Sequence, residues 1–164
     1  MSTSPVLILT SAVALSAAAV GGLFYAFSTF TMRGLNRAGP VEAIAAMRGI
    51  NAEAQANAPF LLLFLGSAVL ALAVGVVALL HLRGPGSGYL LAGAVLSLLA
   101  LVITMAANVP LNNQLDALDP AGLSAADAAR EWAAYYQPWM AWNHVRAGAP
   151  LVGAVLLLVG MLHR

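Results

Sequence analysis

The sequence predicts an all-α integral membrane protein: an antiparallel four-helix bundle with short interfacial helices in its two long loops. Three observations carry this. Four apolar runs take up most of the 164 residues. The chain is 62% hydrophobic and only 8% charged, where a soluble domain averages about a quarter charged residues. The polar side chains gather in the connections, not inside the runs. Strands of a membrane barrel would alternate in polarity, and these runs do not.

A span needs about 20 apolar residues, which places spans at about 6–32, 58–80, 89–109 and 138–162 of a single domain covering 1–164. The opening Met-Ser-Thr-Ser-Pro has no basic stretch. The first run is therefore expected to stay as a span rather than leave as a signal peptide. The first long connection carries Gly39-Pro40 and then a helical pattern, Val41, Ile44, Met47 or Arg48, and Asn51, running on toward the second span. A Gly- and Pro-rich turn, His81 to Gly88, joins spans two and three. In the second long connection Asp119-Pro120-Ala121-Gly122 reads as a turn. Ser124 with Asp127 three residues on reads as a helix N-cap. The helix it opens, to Gln137, carries Trp132, Tyr135 and Tyr136, an aromatic face suited to the membrane interface.

An even number of spans puts both termini on one side and both long loops on the other. The loop side holds Arg33, Arg37, Arg48 and Arg130, against Arg83 and Arg164 on the terminal side. Basic residues favour the cytoplasm, so the expected setting is a bacterial inner membrane with the loop side inward. The net charge of +1 and the absence of lysine give nucleic acid no purchase, and the absence of cysteine excludes disulfides and thiolate ligands. Small residues recur at fourfold spacing, Ala14, Ala18, Gly22 and Ala26, then Gly93 and Ser97. Such stripes let helices approach closely in lipid, either within one bundle or in a homo-oligomer.

Polar groups converge on the loop-side ends of all four spans. Trp139, Asn143 and Arg146 fall at i, i+4 and i+7, one helical stripe with Trp142 beside it. His144 lies about 100° round from Asn143, either bordering the same space or touching another helix. Thr104, Asn108 and Asn112 repeat every fourth residue, and Pro110 among them withholds an N–H, freeing a carbonyl near Ala106. On the first span Tyr25, Thr29 and Arg33 lead to the same end, as do Gln55 and Asn57 ahead of the second. A cavity open at the loop side accounts for all of these. Its indoles offer flat faces to an aromatic ligand, and its arginine and amides offer donors to an oxygen that becomes negative. The structural alternatives are tryptophans as interfacial anchors, a snorkelling arginine and asparagines as interhelical glue.

Two motifs carry a family resemblance: Asn108-Val109-Pro110-Leu111-Asn112-Asn113-Gln114-Leu115, and Trp139-Met140-Ala141-Trp142-Asn143-His144-Val145-Arg146. With the span pattern, they make the chain resemble the anthrone oxygenase-like family of small four-span membrane proteins. That resemblance implies oxidation of an anthrone methylene to a quinone carbonyl by dioxygen, with no established metal or flavin, as in relatives from fungal polyketide pathways. It further implies a hydrophobic aromatic small molecule as partner besides the lipid bilayer. On that reading His144 is the base and Arg146 stabilises the enolate or peroxide. Asn108, Asn112 and Asn143 bond the carbonyl and phenolic oxygens, and Trp139 and Trp142 form the walls. Tyr25, Thr29 and Arg33 would complete the substrate site.

No metal site is expected, because the loop side has a single histidine and no histidine pair on one helix face. Haem is the cofactor alternative, since one axial ligand suffices and His144 would supply it. The competing functions are thus a haem- or quinone-binding redox protein and a non-catalytic protein holding a hydrophobe. A transporter fits less well, for no internal repeat or mid-span charge is present.

Overall fold

The computed structural model describes residues 5–163. Residues 1–4 and Arg164, on which the signal-peptide reading and part of the charge count rest, lie outside the described residues. The described elements are helices: α1 Pro5–Ala38, α2 Pro40–Ala56, α3 Ala58–Leu80, α4 Ser87–Asp116 and α5 Ala125–Leu162, with one 3-10 turn at Pro120–Gly122. Helices α1, α3, α4 and α5 are each long and apolar enough to cross a membrane. The chain is an all-α membrane bundle.

Helices α1, α4 and α5 outrun the apolar stretches read from the sequence. Helix α5 is the clearest case. Instead of an interfacial helix followed by a span starting at Pro138, residues 125–162 form one 38-residue helix through Pro138 and Pro150. Proline removes one ladder bond and crowds the preceding turn. Here the flanking Trp132, Tyr135, Trp139 and Met140 all pack into one cluster with Met32, Ile44, Met47 and Leu115, and that shared burial holds the helix on course across Pro138. The cluster also corrects the expected role of the aromatics. Trp132 and Tyr135 are buried, not spread along the membrane surface, and Tyr136 packs against them half-buried.

Helix α2 covers the loop side. Gly39, at φ 106°, makes the reversal that non-glycine residues resist, and Pro40 starts the new helix. Ala43, Ile44 and Met47 face down into the cluster. Asn57 then closes α2 and caps α3, its Oδ1 accepting from the Phe60 amide at 3.0 Å.

The four long helices form a ring in which α5 packs between α1 and α4, and α3 packs between the same two on the opposite side. Glycine sets the closest approach. A Cβ on Gly153 would sit 2.8 Å from the Gly93 carbonyl oxygen, so α4 and α5 meet backbone to backbone beside Ser97. On α1 the stripe turns out to be Ala14, Ala17 and Gly21, with Gly22 facing open space. One residue is about 100° of rotation, enough to take a predicted contact off the interface.

Two π-helical turns interrupt the long helices near the loop side, Phe27–Thr31 in α1 and Thr104–Asn108 in α4. The second absorbs the disturbance expected at Pro110: the Val109 amide reaches back to the Thr104 carbonyl, five residues away. Such turns add a residue to the helix and often accompany functional sites. Here they rotate the helix ends that face α5.

Candidate functional site

A cavity of about 780 Å³ lies between the N-terminal half of α3 and the loop-side half of α5, roofed by α2. Its size falls in the range of small-molecule sites, roughly 300–1,000 Å³. Phe24 and Phe27 from α1, Phe60 and Phe64 from α3, and Trp139 from α5 give it aromatic walls. Phe60 and Phe64 stack one turn apart with centroids 5.6 Å apart, and Phe24 meets Phe64 edge-on at 5.8 Å. Met47, Asn51 and Glu53 of α2 close the top, while Thr104, Met105, Asn112 and Asn113 of α4 form a side.

Arg146 is the charge in this cavity that lies within the span. It is 5% exposed, and from Arg146 to the end of α5 is roughly 24 Å, inside an apolar layer of about 30 Å. Among the described residues the ion pairs belong to Arg130, and no carboxylate pairs with Arg146. The protein holds it by neutral contacts instead. Its Nε donates to Asn143 Oδ1 at 2.9 Å and its Nη1 to Thr104 Oγ1 at 3.1 Å. Its guanidinium lies over the Phe24 ring at 4.1 Å and near the Trp139 ring at 4.9 Å. Aromatic faces attract a cation, but they leave its charge uncancelled.

The asparagines stand mostly behind the wall. Asn143 is fully buried, and its Nδ2 donates to the Phe24 carbonyl at 2.9 Å and to Ser28 Oγ at 2.8 Å. It ties α5 to the π-turn of α1 while its Oδ1 holds Arg146. Asn108 is also fully buried and donates from Nδ2 to the Trp139 carbonyl at 3.2 Å. Its Oδ1 is a buried side-chain atom without a hydrogen-bond partner. Asn112 does line the cavity. Its Oδ1 accepts from Tyr135 Oη and Trp139 Nε1, both at 2.9 Å. Two donors on one oxygen settle which way the amide faces, and turn its Nδ2 donor away from both rings.

The other expected site residues are not brought into the cavity. Trp142 is 47% exposed and His144 is exposed, both on the outer face of α5. Tyr25 is 56% exposed and Arg33 is exposed, on the outer face of α1. Thr29 bonds back to the Tyr25 carbonyl at 2.8 Å, as hydroxyls in membrane helices commonly do. The cause is helix rotation: the burial of Asn143, Arg146 and Trp139 fixes α5, the burial of Phe24 and Ser28 fixes α1, and their near neighbours must then point outward. Haem gains no support from this arrangement, because no histidine lines the cavity and His144, its expected ligand, faces away. Among the described residues no cluster of His, Cys, Asp and Glu could hold a metal ion.

Several residues absent from the sequence reading prove central. Phe24, Phe27, Phe60 and Phe64 make up most of the aromatic wall. The available signal was five phenylalanines at the loop-side ends of spans one and two, of which Phe30 faces outward. Ser28 and Glu53 gave no comparable signal, since only the π-turn and the placement of α2 bring them in.

No curated protein and no solved structure matches this chain. A family model described as anthrone oxygenase matches residues 54–156, which take in the end of α2, all of α3 and α4, and α5 through the site residues. The chain belongs to the anthrone oxygenase family.

Proposed function

We propose that this protein is a membrane oxygenase that oxidises the activated methylene of a flat, polycyclic phenolic substrate of the anthrone type to a carbonyl, using dioxygen. The observation that carries this is Arg146: a buried guanidinium with no carboxylate partner, lining an aromatic-walled cavity. A buried charge without a counter-ion is costly. That cost is offset if an anion forms beside it during turnover, which is the condition for strong electrostatic catalysis.

The substrate slides between the phenylalanine faces and Trp139. Loss of a methylene proton gives an enolate delocalised over the rings, with its charge on oxygen near Arg146. Asn112 Nδ2 donates to a second oxygen. The enolate passes an electron to dioxygen, the resulting radicals combine at carbon, and the hydroperoxide loses water to leave the carbonyl. One dioxygen and one methylene yield one carbonyl and one water, so no external reductant is consumed. Asn143 and Asn108 act as positioning residues for Arg146 and Trp139. The partner is a hydrophobic aromatic molecule drawn from the bilayer, and the expected setting is a bacterial inner membrane.

The test is oxygen uptake by purified protein in lipid nanodiscs given anthrone or a dihydroxyanthrone. The expected result is one dioxygen consumed per quinone carbonyl formed, with R146M slower by a factor of ~100 or more. Tight binding of these compounds or of quinones, without oxygen uptake, would instead establish a hydrophobe-binding protein.

A further inference from the structure

With His144 on the outer face, the oxygenase reading lacks a proton acceptor, and the cavity supplies one that its sequence position did not suggest. We infer that Glu53, on the roof helix α2, is the general base that takes the methylene proton. The inference rests on the oxygenase reading and adds a residue to it.

Four observations support Glu53. It is the carboxylate among the residues lining the cavity, which include no histidine. It shares that cavity with Arg146, yet the two do not pair. Glu53 is held by Asn57, and Arg146 by Asn143 and Thr104, so the two opposite charges border one space from separate anchors. One end can take a proton while the other stabilises the charge left behind. Third, Glu53 is held. Its Oε1 accepts from Asn57 Nδ2 at 3.1 Å, and Asn57 is itself fixed as the cap of α3. The carboxylate therefore sits at the junction of α2 and α3, fixed at the rim of the cavity. Lastly, it is exposed at the rim, so a captured proton can be released to water.

The proton accounting closes on this one group. Glu53 takes the first methylene proton as the enolate forms, and returns it to the peroxide oxygen once dioxygen has bonded to carbon. It then takes the remaining hydrogen from that carbon as the O–O bond breaks and the C=O bond forms. The hydroxide that leaves accepts this proton as water, and Glu53 is a carboxylate again.

The experiment separates base from oxidation. Anthrone deuterated at the methylene is incubated under argon with the protein in nanodiscs, and loss of deuterium to water is followed by mass spectrometry. Wild type should accelerate the exchange. E53Q should lose ~100-fold or more of that acceleration, the usual yield of a positioned base, while anthrone still quenches the tryptophan fluorescence of a variant carrying W132F and W142F, which leaves Trp139 as the fluorophore. E53D should recover part of the rate. If E53Q exchanges and consumes oxygen as fast as wild type, Glu53 is not the base, and the oxygenase reading stands without it. If wild type neither exchanges deuterium nor takes up oxygen, the oxygenase reading itself falls and this inference with it.

Discussion

Arg146 Nε lies 2.9 Å from Asn143 Oδ1, and the same amide donates from Nδ2 to the Phe24 carbonyl and to Ser28. Asn143 thus joins the cationic side chain to the π-turn of another helix. Every polar atom of its side chain is used, so replacing it disturbs both ends at once. Asn143→Ala should destabilise the bundle by about 1–3 kcal/mol, three hydrogen bonds being lost, one of them to a charged group. It should also free Arg146 and raise KM. Unfolding in mixed micelles together with steady-state kinetics checks both.

Arg146→Met should split stability from activity. Taking away an unpaired buried charge and leaving an apolar chain of similar length is often neutral or stabilising. Thermal stability in nanodiscs should change little, relief of the buried charge offsetting the acceptor stranded on Asn143, while kcat/KM for anthrone oxidation falls by roughly 100- to 1,000-fold. A variant that merely unfolds would show that Arg146 is a structural group.

Asn112 accepts from both Tyr135 and Trp139, so Asn112→Leu strands two donors. Each buried donor left unpaired costs about 1–3 kcal/mol. Tyr135→Phe removes one donor with its need, and the double variant should be less destabilised than the sum of the singles. A double-mutant cycle on unfolding free energy reads this directly.

His144 faces outward. His144→Ala should leave turnover within about twofold of wild type, the ordinary range for a surface change. A loss of ~100-fold, the size expected for removal of a general base, would return the base to His144 and require α5 to rotate during turnover.

Gly153 meets the Gly93 backbone, so even one methyl must part α4 from α5. Gly153→Ala should cost about 1–3 kcal/mol, as overpacking does. Because this contact lies toward the terminal side, anthrone binding measured by calorimetry should suffer less than folding does.

What the sequence determined by itself was everything that depends on local averages. A 20-residue stretch either is or is not apolar enough for lipid, so the four spans, their antiparallel order and the gathering of polar groups at one end were all legible. So were Trp139, Arg146 and Asn112 as cavity residues, through their spacing. What only the tertiary structure decided was the rotation of each helix and the course of its polar ends. One residue is 100° of arc, and adjacent residues of nearly equal polarity compete for the inward face. Asn143 and Arg146 took it on α5, which sent His144 and Trp142 out; Phe24 and Ser28 took it on α1, which sent Tyr25 and Arg33 out. The folding of α2 over the mouth arises from packing among distant segments, and that packing brought Glu53 and four phenylalanines around one hollow.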